Sequence, residues 1–427
     1  MENGVYNDLI GKVLNNENLN LAYRKVKRNK GAAGIDEMTA NELGPYLIEH
    51  QMEIKSTILA GKYKPAPVKR VEIPKPDGTM RQLGIPTVKD RMVQQAVAQV
   101  ISPIFETVFS DNSFGFRPNR SAHDAIQRAR DYYENGLEVV VDIDMRKFFD
   151  TVNHDKLMYF IERRIQDKAV LHLIRRFLVS GIMVGDTFDV SRKGTPQGGP
   201  LSPLLANIYL NEVDTELEKR GHKFVRYADD VNIYVRTPRA GERVLSSMTD
   251  FLETKMKLVV NRDKSKVGSP KELKFLGFTL FRQWKEPKEV MILVHKSAKS
   301  QIKAKLKFIT KRSRGVSLDI VLEEIRQVVI GWINYYRIGS IKTFLRNLDA
   351  WLRRRIRQYI WKQWKTPKTR IKSLIKLGAT IDEAKRISYS RKAYWHTVRT
   401  WEVQGMITNK RLESRGLISM RQRLESL

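Results

Sequence analysis

The spacing of apolar residues changes period several times along this chain, and each change predicts an element. Residues 1 to 70 read as polar helices, interrupted by the turn Gly31-Ala32-Ala33-Gly34-Ile35-Asp36 and closed by Pro65 and Pro67. Val68 to Ile73 then alternates, Pro74-Lys75-Pro76-Asp77-Gly78-Thr79 supplies turn chemistry, and Met80 to Pro86 resumes the alternation, which predicts a hairpin with a basic tip. Apolar positions at a period near 3.6 predict helices over 88–108, 121–134 and 155–179. The run Glu138 to Asp144 is rich in β-branched residues and predicts a buried strand. Two more apolar strands, Lys223 to Tyr227 and Val231 to Val235, bracket the pair Asp229-Asp230. Helices are expected from about Pro200 to Lys219 and from Ala240 to Lys257, followed by a strand at Leu258-Val259-Val260.

The central order is therefore strand, helix, strand, strand, helix, strand, which is that of a split βαβ, ferredoxin-like layer with helices on one face. From residue 298 onward the strand signal stops. Helices rich in Lys and Arg take over, broken near Gly315, Gly331, Gly339, Pro367 and Gly378. Six of the seven tryptophans lie in this part, so apolar rings and cations are interleaved there. The fold class predicted is α+β, and 427 residues suffice for two or three domains.

Composition narrows the function. There is no cysteine, which removes disulfides, thiolate metal sites and thiol nucleophiles together and suits a reducing cytosol. No uninterrupted apolar run reaches the roughly 18 residues of a membrane span, and Met1-Glu2-Asn3-Gly4 does not open a signal peptide, so a protein that is neither exported nor membrane-bound is expected. The net charge of +31 calls for a polyanionic partner, nucleic acid first. Residues 301–427 hold 30 basic and 9 acidic residues, a net +21, against 48 and 38, a net +10, for residues 1–300. Charge spread over more than a hundred residues fits a nucleic-acid surface better than a short membrane-binding helix.

Candidate chemistry lies at Asp229-Asp230. Adjacent carboxylates at a tight hairpin tip repel each other where the backbone is rigid, unless a cation sits against them. A solvated β-turn is the ordinary setting for aspartate. Placement between two apolar strands, with Asp144 ending a third, instead fits nucleotidyl transfer, in which converging carboxylates hold divalent ions about 4 Å apart. Asp142, two residues before Asp144 on the same strand face, competes for that role.

Tyr227-Ala228-Asp229-Asp230 resembles the palm signature of reverse transcriptases, and the flanking segments resemble group II intron-encoded proteins. Asp144 to Asp150 resembles the family's motif A, Gly194 to Asn207 its motif B, and Phe275-Leu276-Gly277-Phe278 its primer-side motif. Ser113 to Pro118 with Ser121 to Ala125 resembles a block of the fingers and palm, and Gly331-Trp332-Ile333-Asn334-Tyr335-Tyr336-Arg337 resembles the thumb, or X, domain of maturases. The resemblance implies a right-hand polymerase: fingers and a ferredoxin-like palm over 1–296, an α-helical thumb over 297–370 and a short basic DNA-binding domain over 371–427. It assigns catalysis to Asp144, Asp229 and Asp230, with Met145 added as a ligand of two Mg²⁺ ions, for which Mn²⁺ could substitute. Asp144 is preferred to Asp142 because an aromatic residue, Phe149, stands five positions after it. The resemblance gives that ring the task of excluding a ribose 2′-hydroxyl. It further implies Lys75, Arg81, Gln197, Gly198 and Lys264 as nucleotide-binding residues, with Lys264 as the motif D lysine beside the leaving pyrophosphate. Arg117, Arg353, Arg354, Arg355, Arg391 and Lys392 are the implied nucleic-acid contacts.

The activity so implied is RNA-directed DNA synthesis with dNTPs on a DNA primer. The same protein would bind its group II intron RNA, assist its splicing, and copy it at a target DNA during retrohoming, in a bacterial cytoplasm. Many relatives end in a Cys-containing endonuclease, and a chain without cysteine departs from that pattern, so DNA cleavage is not expected. The alternatives are a reverse transcriptase of another bacterial lineage (retron, diversity-generating or defence-associated) and an RNA-binding maturase in which polymerisation is secondary.

Overall fold

The computed structural model describes residues 6–74, 78, 80–184, 187–189, 198–283 and 289–427, without the side chains of Arg81, Ile182, Val184 and Thr187 to Asp189. Two compact units divide the chain, Met1–Leu273 and Lys274–Leu427.

In the N-terminal unit, the predicted basic hairpin is present as β1 (Val68–Pro74) and β2 (Met80–Ile85), antiparallel with Pro74 opposite Met80. Its sheet continues through β4 (Ile182–Val184), parallel to β1, and β5 (Thr187–Asp189), in the order β2-β1-β4-β5. These last two strands, three residues each, have too short an alternation to be read from sequence.

The second sheet of the unit is the predicted split βαβ layer. β3 (Val139–Ile143), β6 (Lys223–Tyr227), β7 (Asp230–Val235) and β8 (Lys266–Gly268) lie in the order β6-β7-β3-β8, every neighbour antiparallel. β3 is paired on both edges, and Val140, Val141 and Ile143 are at most 2% exposed, which is why its residues form a nearly continuous apolar run. The helix Ser202–Lys219 leads into β6, and Pro238–Asp250, capped by Thr237, follows β7 on the way to β8. The former buries Leu204, Leu205, Ile208, Tyr209, Leu210, Val213 and Leu217 in one hydrophobic core with β3, β6 and β7. The expected strand Leu258-Val259-Val260 is absent. That segment leaves a π-helical turn, Phe251–Lys255, and makes only an isolated bridge, Met145 to Val260, so the fourth strand is Lys266–Gly268 instead. β-branched composition alone does not supply a ladder partner.

The predicted helix over 155–179 is two helices, His154–Glu162 and Lys168–Leu178, because Asp167 caps the second by accepting from the amides of Ala169 and Val170. The segment Ser121-Ala122-His123-Asp124 of the fingers-like block is a capping box opening the helix Ala122–Glu134.

The C-terminal unit begins with a hairpin, β9 (Phe278–Arg282) and β10 (Val290–Val294), followed by the helices Lys296–Ile309, Leu318–Tyr336 and Lys342–Gln363 and shorter helices. This hairpin lies in the same unit as the helices that follow it. Phe275 and Phe278 exchange both backbone hydrogen bonds around Leu276 and Gly277, whose φ values are +50° and +83°. Tyr335 donates to the Leu276 carbonyl at 3.0 Å, and the Tyr336 ring lies so close to Gly277 that an added Cβ would stand 2.6 Å from its hydroxyl. Two motifs some 60 residues apart in the chain thus form one turn-and-ring cluster. Gly277→Ala should therefore cost about 1–3 kcal/mol through backbone strain and the clash with Tyr336. A urea midpoint unchanged from wild type would show that the turn relaxes without cost.

Candidate active site

The pairing of β3 with β7 puts Ile143 opposite Val231, so the chain leaves β3 beside the two-residue turn, Ala228-Asp229, that joins β6 to β7. Asp144, Asp229 and Phe149 consequently line one cavity of about 440 Å³, together with Met145, Lys147, Asp150, Asn261 and Lys264. Met80 and Gln82 of β2 complete a wall of it. Asp230, by contrast, starts β7, is exposed and is not part of the lining.

Asp144 stands just past the last ladder residue of β3, and its surroundings come from a segment more than a hundred residues later. Its amide donates to the Ser265 hydroxyl at 3.1 Å, its carbonyl accepts from the Asn261 amide at 2.8 Å, and its carboxylate accepts from Asn261 Nδ2 at 3.2 Å. Asn261 thereby holds one oxygen of the carboxylate while leaving the other side to the cavity. Asp142 is differently engaged: Asn232 of β7 donates to it at 2.8 Å, and it helps to push the pKa of fully buried Tyr234 upward, after burial itself. It does not line the cavity, so geometry separates the two competitors that strand periodicity left equivalent.

The tip at Asp229 is a conformational exception. Ala228 has φ +58°, a region that disfavours any residue with a Cβ. Beneath it lies Arg226, whose side chain is fully buried with that of Asp214.

Phe149 packs edge-on against Phe148, ring centres 5.3 Å apart, and forms part of the wall of two cavities. The second, about 580 Å³, is also lined by Gly31, Arg91, Phe116, Gly198 and Gly199. Phe116 is an apolar ring 55% exposed at φ +60°, a residue that sequence reasoning passed over inside a quoted motif. Gly198 sits where an added Cβ would collide with the Gly84 carbonyl of β2. Lys75 and Gln197 lie outside the described residues; Arg81 is placed by its backbone, opposite Ile73.

The implied nucleic-acid contacts divide. Arg117 has a side chain 3% exposed, bonded to Glu106 and to the carbonyls of Ser110 and Ser113, so its guanidinium braces the loop before the helix Ala122–Glu134. A lone Arg in sequence gives no sign of which way it points. Arg355 donates to Thr310 and to the Lys307 and Thr310 carbonyls, closing the C-terminus of the helix Lys296–Ile309. Arg353 and Arg354 are half-buried, and Arg391 and Lys392 are exposed. Of the six C-terminal tryptophans, Trp361 is core at 1% exposure and Trp401 stands 66% exposed. Among the described residues no helix is long and apolar enough to cross a membrane.

Known proteins resemble this chain in sequence. Residues 73–280 match the reverse transcriptase (RNA-dependent DNA polymerase) family, and residues 299–378 match the group II intron maturase-specific domain. Protein YkfC of Escherichia coli K12 is 33% identical over 303 residues, 61% of this chain and 80% of that one. The group II intron-encoded protein LtrA of Lactococcus lactis subsp. cremoris is 39% identical over 209 residues, 48% of this chain and 34% of its own. A putative COX1/OXI3 intron 2 protein of Saccharomyces cerevisiae is 27% identical over 319 residues, 60% of this chain and 37% of its own. The aligned part is thus most of YkfC but only about a third of the two intron proteins. With both domains matched in this order, the chain belongs to the group II intron-encoded reverse transcriptases and maturases, an RNA-dependent DNA polymerase domain followed by a maturase-specific domain.

Proposed function

We propose that this protein copies group II intron RNA into DNA at the Asp144–Asp229 cavity and holds the same RNA for splicing with its basic surfaces. One observation carries the reading: Asp144 and Asp229, 85 positions apart, are brought to one cavity beside Phe149 and Lys264 by the β3–β7 register. In the polymerase description, the N-terminal sheets are fingers and palm, residues 297–370 the thumb and residues 371–427 a DNA-binding domain.

The donor set suits Mg²⁺. Among the described residues no three His, Cys, Asp or Glu side chains form a ready-made cage. Mg²⁺ is commonly held by one or two carboxylates, waters and the substrate's own phosphates, so two aspartates facing a polar cavity are sufficient. Asp144 and Asp229 would hold it, with the Met145 backbone adjacent and Asp230 behind the turn. Bound there, divalent ions supply charge stabilisation to the attacking 3′-oxygen and the leaving pyrophosphate. The protein's own part is positional. Asn261 and Ser265 orient Asp144, Phe149 forms the wall against which the sugar lies, and Lys264, exposed at the cavity rim, stands where a proton could pass to pyrophosphate. Lys75, Arg81 and Gln197 complete the nucleotide pocket in this reading. Arg391, Lys392 and the half-buried Arg353 and Arg354 offer phosphate contacts in the C-terminal unit. Target-primed copying during retrohoming, with a DNA primer and dNTPs in a bacterial cytoplasm, is the biological setting the reading implies.

Three experiments test it. Asp144→Asn should lower Mg²⁺-dependent primer extension on an RNA template by about 10²–10³-fold or more, the scale of losing a fixed transition-state stabiliser, whereas Asp142→Asn keeps most activity. Equal losses in the two variants would break the assignment. Asp229→Ala with Asp230→Ala should abolish extension and leave intron binding and assisted splicing in place; a folded double variant that no longer supports splicing would show that the two roles share the site. Phe149→Val, which retains part of the packing, should raise incorporation of NTPs relative to dNTPs by about tenfold or more. Unaltered sugar discrimination would remove Phe149 from that role.

A further inference from the structure

Arg226 is a cation with no solvent contact at all, one residue short of the end of β6. Its guanidinium makes five hydrogen bonds to three residues. Nε donates to Asp214 at 2.7 and 3.0 Å and Nη2 to the same carboxylate at 2.6 Å. Nη1 donates to Asn207 Oδ1 at 2.9 Å and to the Ala228 carbonyl at 3.0 Å. Asn207 in turn donates from Nδ2 to the Gly115 carbonyl at 2.9 Å. Gly115 lies directly on the turn, since an added Cβ there would collide with the Ala228 amide nitrogen. The residue so enclosed, Ala228, is the one with φ +58°, and it immediately precedes Asp229.

A buried ion pair is a poor device for stability alone, because a well-packed apolar pair of similar volume is often as stable or more so. What an apolar pair cannot do is direct a donor at a chosen carbonyl. Here the guanidinium fork is anchored on one side by Asp214 and Asn207, both from the helix Ser202–Lys219, and its remaining donor fixes the peptide that sets the direction of Asp229. We propose that Arg226, held by Asp214 and Asn207, is a positioning residue that keeps the Ala228 peptide in its left-handed conformation and thereby aims the Asp229 carboxylate into the cavity. The inference rests on the reading of Asp229 as a carboxylate of the polymerase site.

Two variants of the full chain test it. Arg226→Lys keeps the charge opposite Asp214, but a single ammonium cannot reach Asp214, Asn207 and the Ala228 carbonyl together. Arg226→Met with Asp214→Leu removes both charges and leaves an apolar pair. In steady-state primer extension each should lower kcat by about a hundredfold, the cost of misplacing a reacting group by about 1 Å, with KM for the dNTP little changed and the Mg²⁺ requirement raised. Intron RNA binding should stay near wild type in both variants, and Arg226→Lys should remain folded at the assay temperature with a thermal midpoint lowered only by the buried acceptors it leaves unpaired. Wild-type kcat in either folded variant overturns the proposal, as does a loss of activity that follows the thermal midpoint with no separation of kcat from KM. A wild-type chain that extends no primer at all would instead refute the polymerase reading, and the inference with it.

Discussion

The antiparallel pairing of β3 with β7 is the constraint on which the site depends. Its last rung, Ile143 opposite Val231, fixes where β3 stops relative to the β6–β7 turn, and so decides that Asp144 and Asp229 open on the same cavity. A slip of one residue would turn every side chain of β3 to the other face of the sheet and bury the carboxylate in the core. The burial of Val141, Ile143, Val231 and Ile233 makes that slip costly, and the bond from Asn232 to Asp142 across the two strands would be lost with it.

Bringing carboxylates together works against folding, and the fold answers with fixed dipoles and one buried cation. Asn261 and Ser265 hold Asp144 through three hydrogen bonds, and Arg226 lies under the peptide before Asp229. None of these groups is itself a metal ligand in the proposed mechanism. In that proposal each restrains a carboxylate that would hold the ion, so that ion and triphosphate would assemble without reorganising the protein.

The C-terminal unit uses its aromatic and basic residues for its own architecture more than composition suggests. Phe278 packs at a tilt against the rings of Tyr335 and Tyr336, and Arg370 lies over the rings of Trp361 and Tyr394. Arg357 is buried deeply enough that its pKa falls to about 10, burial being the main cause. The excess positive charge available to a polyanion is therefore carried by the exposed residues, such as Arg391 and Lys392, rather than by every cation counted along the chain.

By itself the sequence determined most of the local elements and, through its motifs, the family. Alternation in Val68 to Ile73 and Val231 to Val235, the 3.6-residue period of 88–108, and the apolar strands around Asp229-Asp230 are short-range patterns, and each appears in the structure as an element. The strand, helix, strand, strand, helix, strand order likewise appears, except that the last strand is Lys266–Gly268. The family resemblance already favoured Asp144 over Asp142; the tertiary structure adds their different surroundings, Asn232 at Asp142 and Asn261 with the cavity at Asp144, which two residues on one face of an isolated strand do not reveal. It also turned Arg117 inward and gave Arg226 its partners, since the direction of a long side chain is set by carbonyls and carboxylates distant in sequence. Periodicity is a property of neighbours along the chain, whereas register, side-chain direction and the pairing of charges belong to neighbours in space.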